Sequence, residues 1–307
     1  MGNKVIITAA LTGAIHTPTM SPYLPITPKK LVDEIVAVYQ SGGAVVHLHV
    51  RDPRNGYPVS DQEAFREIAS EVKKQCDIVI CPTTGGPVGE PVEKRAKVVS
   101  NLQPEMASLN AGSINFAIFQ SAKKFNEWKF DWEKKYLEDT EDNIFANTFK
   151  TLREYLNIFH VAETKPEFEI YDVGMINNLA YLIDSGYVKR PIYIQFVMGI
   201  LGGIPAKPEN LVFLLDTARK AIGDFEFSVC AAGKFQIPLC TLSFIMGGNA
   251  RVGLEDSLYL EKNILAKSNA EQVAKIIRIA RELGFEPATP REARERLNLK
   301  GLDKVNF

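Results

Sequence analysis

Val45-Val46-His47-Leu48-His49-Val50, followed by Arg51-Asp52-Pro53-Arg54-Asn55-Gly56, reads as a short apolar strand stopped by a turn. Side chains alternate along a strand, so His47 and His49 share a face. Two imidazoles on one face at the end of a buried strand can hold two coordination positions of a divalent metal, with a third ligand from elsewhere. A lone histidine in an apolar run is ordinarily a satisfied core residue. Here the chain has four histidines and two of them converge on one point.

Working outward, the same kind of strand recurs with a helix after each one. Val5 to Ala9 precedes Thr27-Pro28, an N-cap with proline at N1, and Leu31, Ile35 and Val38 follow at helical spacing until Gly42-Gly43. After the histidine strand, Ser60-x-x-Glu63 predicts a capping box and a helix to about Lys74. Asp77–Cys81 predicts a third strand and 91–99 a charged helix, and Met106–Leu109 predicts a fourth strand. Phe168–Tyr171, Ile192–Val197, Glu226–Cys230 and Ala250–Gly253 complete eight strands. Helices are predicted over 143–159, 174–185, 208–221, 237–246 and 269–283.

Eight short apolar strands alternating with helices predict a single-domain (β/α)8 TIM barrel over 1–307. A doubly wound open sheet is the structural alternative, but no G-x-G-x-x-G follows the first strand. Residues 118–145, which carry both tryptophans and no strand signal, read as a partly helical insertion after the fourth strand.

Hydrophobic residues make up 46% of the chain, enough for a large core, and the formal net charge of -1 offers no electrostatic footprint for nucleic acid or an acidic membrane. Cys76, Cys81, Cys230 and Cys240 lack metal-clip or C-x-x-C spacing, which suggests reduced thiols. With no signal-like N-terminus and no long apolar run, the expectation is a cytoplasmic protein.

Barrel chemistry sits at the carboxyl ends of the strands. There the sequence places Thr12 and Gly13, the two histidines, Thr83-Thr84-Gly85-Gly86, Ser108 and Asn110, Glu169, Gln195, and Arg251-Val252-Gly253-Leu254-Glu255-Asp256. The eighth strand adjoins the first and lies two places from the second, so Glu255 is the natural third ligand. Two imidazoles, a carboxylate and an open position make a Lewis-acid site for a carbonyl or carboxylate oxygen. Asp256, beside a ligand, is free to act as a base, with Arg251 orienting it or holding developing charge. Thr83, Ser108 and the N–H groups around Gly85-Gly86 would form a neutral cradle for a substrate carboxylate.

Blander readings stand beside these. Glu255-Asp256 is also a plausible acidic helix cap and Thr-Thr-Gly-Gly an ordinary turn, while Glu169 and Gln195 could fill the barrel interior. Cys230 reads as a small core residue.

In this order the motifs resemble the β-keto acid cleavage enzymes, the family of the 3-keto-5-aminohexanoate cleavage enzyme. The resemblance runs through residues 7–13, Leu24-Pro25-Ile26-Thr27-Pro28, Val46-His47-Leu48-His49-Val50-Arg51, Thr84-Gly85-Gly86, residues 104–112, residues 247–256 and Ala288-Thr289-Pro290. It implies a zinc-dependent barrel with His47, His49 and Glu255 as ligands, Asp256 as general base, Arg251 as its partner, and Thr83, Gly86 and Ser108 on the substrate. It also implies acetyl-CoA as co-substrate and a homo-oligomer, a tetramer in the family. In the implied reaction Asp256 removes an α-hydrogen of a β-keto acid, and the resulting enolate attacks the acetyl thioester. The released CoA thiolate then cleaves the adduct into acetoacetate and a new acyl-CoA.

Where the aminohexanoate enzyme has a glutamate for the substrate's amino group, this chain has Ile15. An ammonium buried against isoleucine would cost several kcal/mol, so an uncharged acyl tail is expected. A metal-dependent aldolase or sugar-phosphate isomerase is the competing enzymatic reading. It would need a phosphate cradle after strands seven and eight, where Ala231-Ala232-Gly233-Lys234 is the candidate. A non-catalytic binding protein would have no use for Asp256 beside a ligand.

Overall fold

The computed structural model describes residues 3–87 and 90–307. Its centre is an eight-stranded, all-parallel sheet of β1 (Ile7–Ala10), β2 (Val45–Leu48), β3 (Val79–Pro82), β4 (Met106–Asn110), β5 (Lys165–Ile170), β6 (Tyr193–Met198), β7 (Glu226–Ala231) and β8 (Asn249–Val252). The hydrogen-bonded order is β3-β2-β1-β8-β7-β6-β5-β4. The two end strands lie against each other, and the Thr84 hydroxyl donates to the Ser108 carbonyl across the seam at 2.7 Å, so the sheet is a nearly closed (β/α)8 barrel. Among the described residues no helix is long and apolar enough to cross a membrane.

The strands are short and buried on both faces because helices cover the outside. These are α1 (Pro28–Gln40), α2 (Gln62–Gln75), α3 (Lys97–Leu102), α4 (Phe149–Val161), α5 (Val173–Asp184), α6 (Pro208–Ile222), α7 (Gln236–Ile245) and α8 (Asn269–Glu282). Each turns one apolar stripe inward: α1 buries Leu31, Val32, Ile35 and Val38, and α2 buries Phe65, Ile68, Ala69 and Val72. Thr27 caps α1 by accepting from Lys30 N, a contact type that contributes about 1 kcal/mol.

Local departures from the sequence reading have local causes. The cap of α2 is Asp61, whose carboxylate takes the N–H groups of Glu63 and Ala64, whereas the Ser60 hydroxyl donates to Glu90. The helix predicted over 91–99 breaks at Ala96 into a turn, Val92–Arg95, and α3. The one predicted from 143 starts later, at the Thr148 cap, because Phe145 is bridged to Ile114 in extended backbone.

Residues 118–145 hold a 3-10 turn, a helix over Trp132–Glu138 and a second 3-10 turn, and they lie over the carboxyl-end mouth. The segment is pinned there. The fully buried Glu133 carboxylate accepts from Thr19 N, Thr19 Oγ1 and Phe130 N, and Trp132 Nε1 donates to Asn55 O.

A C-terminal helix over Pro290–Leu297, with a Thr289/Glu292 capping box, closes the other end. Its Ala293 and Leu297 pack with Ile6, Val45, Val79 and Tyr193 at the barrel floor. Arg294 grips Glu105 bidentately at 2.8 and 2.9 Å, and Arg296 pairs with Glu226.

Candidate active site

Strand register brings the candidate metal ligands together. His47 on β2 pairs with Ala10 on β1 and Cys81 on β3, and Arg251 on β8 pairs with Thr8 on β1. Beyond β8 the chain must fold over the end of β1, and Gly253 permits it. Its φ is +144°, and a Cβ there would lie 2.1 Å from Ala10 O. Glu255 N then donates to Ala10 O at 3.1 Å, while Gly13 presses on the Glu255 side chain. The Gly13 loop is in turn held by Arg51, a buried guanidinium that donates to the carbonyls of Thr12, Gly13, His16 and Gly56 and to Thr12 Oγ1.

The result is a cluster. One ligand atom from each of His47, His49 and Glu255 lies within 4.8 Å of the others. Glu255 Oε1 is 3.6 Å from His47 Nε2 and 3.5 Å from His49 Nε2. Burial holds the His47 imidazole well below its ordinary pKa, hence neutral and able to offer a lone pair. Burial pushes the Glu255 carboxyl up, but Arg251 and the two imidazoles outweigh it and keep the group ionised. Glu255 Oε2 is buried without a hydrogen-bond partner among the described residues, a costly state that a divalent cation would relieve. The donor set of two nitrogens and a carboxylate therefore fits a metal.

Arg251 is the electrostatic centre of the mouth, and each of its donor nitrogens is committed. Nε and Nη2 hold the two oxygens of Asp256 at 2.9 Å each, and Nη2 also reaches Glu255 Oε1 at 2.7 Å. Nη1 donates to Gln195 Oε1 at 2.9 Å and Glu169 Oε1 at 3.3 Å. Of its two sequence-predicted roles, this geometry serves orientation. Gln195 and Glu169, read from sequence as possible filler, are partners of this arginine. Gln195 Nε2 continues the chain to Glu167 Oε1 and Ser228 Oγ. The Cys230 thiol is buried and donates to Asp256 Oδ1 at 3.4 Å, so it touches the acid as well as the core. Polar residues within two apolar strands, Glu169 and Gln195, could have suggested this network from sequence only with the strand order known.

Above the triad is a cavity of about 280 Å³. His47, His49, Glu255, Glu169 and Thr83 are among its polar lining residues, and Ile15, Phe116, Ile118, Ile144 and Phe145 are among its apolar ones. Gly86 and Asn110 line it too. Asp256, Arg251 and Ser108 are buried and do not line it. Burial raises the Asp256 carboxyl above its ordinary range despite Arg251, and lifts Glu169 to about 8 against the same arginine.

The family model for β-keto acid cleavage enzymes matches residues 4–299. The chain belongs to the β-keto acid cleavage enzyme family. It is 47% identical over 305 residues to the 3,5-dioxohexanoate:acetyl-CoA acetone transferase of Paraburkholderia graminis, covering 99% of this chain and 98% of that one. Against the 3-keto-5-aminohexanoate cleavage enzyme of Acetoanaerobium sticklandii it is 38% identical, covering 96% and 98%. The apo structure of ObcA superposes with a TM-score of 0.72 at 19% identity, over 91% of this chain and 66% of that longer one, which bears on the fold alone. The isomerase and aldolase reading loses its ground here. Membership is in the β-keto acid cleavage family and not among aldolases or sugar-phosphate isomerases, and the N–H of Gly233, central to the candidate phosphate loop, is spent on Asp256 O at 2.8 Å.

Proposed function

We propose that this β-keto acid cleavage enzyme uses acetyl-CoA as co-substrate and converts a β-keto acid with an uncharged acyl tail into acetoacetate and a new acyl-CoA. The convergence of His47, His49 and Glu255 at the floor of a largely apolar cavity carries this reading. His47, His49 and Glu255 would hold the cation, zinc by the chemistry of the donor set. When bound, a divalent cation there supplies Lewis acidity that makes the α-hydrogens of a β-keto acid more acidic.

The chain's own residues do the rest. Thr83 and the Gly86 backbone orient the substrate carboxylate, with Ser108 behind them holding Thr84 through its carbonyl. Asp256, oriented by Arg251, takes the α-proton. The Trp-containing segment over 118–145 roofs the cavity through Ile118, Tyr136 and Ile144 and keeps water from the carbanion. Glu169 favours a second assignment of the base, because it lines the cavity and Asp256 does not.

Ile15 supports the uncharged tail: it lines the cavity where an ammonium would need a carboxylate. The relative from Paraburkholderia graminis is named for 3,5-dioxohexanoate, a diketo acid with such a tail, and that compound heads the panel to be tried. Four free cysteines, three of them buried, agree with a cytoplasmic location. The test is metal analysis of the purified protein, then a β-keto acid panel with acetyl-CoA scored for acetoacetate. Acetoacetate release that requires both acetyl-CoA and bound metal supports the reading; turnover without acetyl-CoA overturns it.

A further inference from the structure

Arg95 is a buried cation with no carboxylate at ion-pair distance among the described residues, and it lines the substrate cavity. It is 5% exposed, so its charge is largely stripped of water, and burial lowers its pKa. Its Nη1 donates to Thr84 O at 3.3 Å, and its Nη2 donates to Ala146 O at 2.9 Å and Asn147 Oδ1 at 3.0 Å. Nε has no acceptor. The guanidinium lies over the Phe145 ring, 4.5 Å from its centroid, which fixes its plane. Glu90 and Glu93 act on it through space without coming to ion-pair distance, and the Glu90 carboxylate accepts from the Ser60 hydroxyl.

This cation stands directly behind the Thr83-Thr84-Gly85-Gly86 turn. A Cβ on Gly86 would sit 3.1 Å from Arg95 Cγ, and Thr84 O is one of the acceptors Arg95 holds. The turn alone holds an anion through neutral donors only. The N–H of Gly85 is already taken by Thr83 Oγ1 at 2.8 Å, so a cradle built from backbone and hydroxyls alone is weak. Three acceptors with partial negative charge satisfy the geometry of Arg95 without neutralising it.

We propose that Arg95 is the positive counterpart of the substrate's carboxylate, a specificity-determining residue that makes the Thr83–Gly86 end of the cavity a site for anionic β-keto acids and excludes their neutral esters and ketones. This rests on the function proposed above. Arg95 acts through charge at the cavity wall and through the carbonyls it clamps, and it makes no hydrogen bond to His47, His49 or Glu255.

The experiment measures binding of acetoacetate and of methyl acetoacetate, the same β-keto skeleton without the charge, to the metal-loaded wild type, R95K and R95Q. The expected result is that R95Q loses at least about tenfold in acetoacetate affinity, the weight of a hydrogen bond or ion pair to a charged group, while methyl acetoacetate binding stays within about twofold. R95K keeps the charge and falls between. In turnover, R95Q raises KM for the acid more than it lowers kcat, with bound metal unchanged. Equal losses for both probes, or no loss for either, make Arg95 a structural clamp and overturn the inference. A wild type that binds neither probe removes the substrate reading itself, and the inference with it.

Discussion

Arg251 and Asp256 are joined by two parallel hydrogen bonds, Nε to Oδ2 and Nη2 to Oδ1, each 2.9 Å long. The same guanidinium touches the third candidate ligand, Glu255, at 2.7 Å. One buried cation therefore sets the position of both the carboxylate that would hold the metal and its neighbour. Replacing it with methionine leaves Asp256, Glu255 and Glu169 crowded without a counter-charge, a defect of about 3–5 kcal/mol for a buried pair. Denaturant melts of Arg251→Met should show a loss of that order, together with weakened metal binding. A variant as stable as wild type would mean the carboxylates protonate and tolerate the loss.

Asp256 and Glu169 contend for the proposed base, since one is adjacent in sequence to the candidate ligand Glu255 and the other faces the cavity. Asp256→Asn should cut kcat by about 10²–10⁴ with metal content intact, whereas Glu169→Gln should act mainly through the Arg251 contact and cost less. If Glu169→Gln is the more damaging of the two, the proton goes to Glu169. Loss of metal in Asp256→Asn would instead make Asp256 a ligand.

Gly13 sets the space that Glu255 occupies. An added Cβ would come 2.4 Å from Glu255 Cγ, and the backbone at φ +55° disfavours any other residue. Gly13→Ala should displace the carboxylate and reduce metal affinity by roughly 10- to 100-fold, the scale seen when a ligand loses its support. Titration with zinc against a competing chelator reads this directly, and circular dichroism should find the barrel intact.

Ile15 faces the cavity as an apolar wall. Wild type should therefore prefer 3,5-dioxohexanoate over 3-keto-5-aminohexanoate by at least about 100-fold in kcat/KM, the worth of an unpaired buried ammonium. Ile15→Glu should narrow or invert that ratio. Comparable rates on both acids with the wild type would show that the tail does not meet Ile15.

At the opposite end, Leu297 is 1% exposed against the barrel floor. Leu297→Ala should cost about 2–5 kcal/mol in a thermal or denaturant melt while leaving KM unchanged, because the plug lies far from the mouth.

From sequence alone the eight-strand alternation, the shared face of His47 and His49, and the acidic pair after the last strand were legible. Period-two and helical spacing are local properties, and a barrel follows once their alternation is counted. The capping of α2 by Asp61 and the break at Ala96 were not legible, because neighbouring polar residues offer competing caps whose choice depends on what lies across the loop. The commitment of every Arg251 nitrogen, the partnership of Cys230 with Asp256 and the burial of Arg95 without an ion-pair partner among the described residues depended on the tertiary structure. Each depends on side chains from different strands meeting at a depth that only closure of the sheet fixes. Burial then turns those meetings into energies, since the same groups in water would scarcely influence one another.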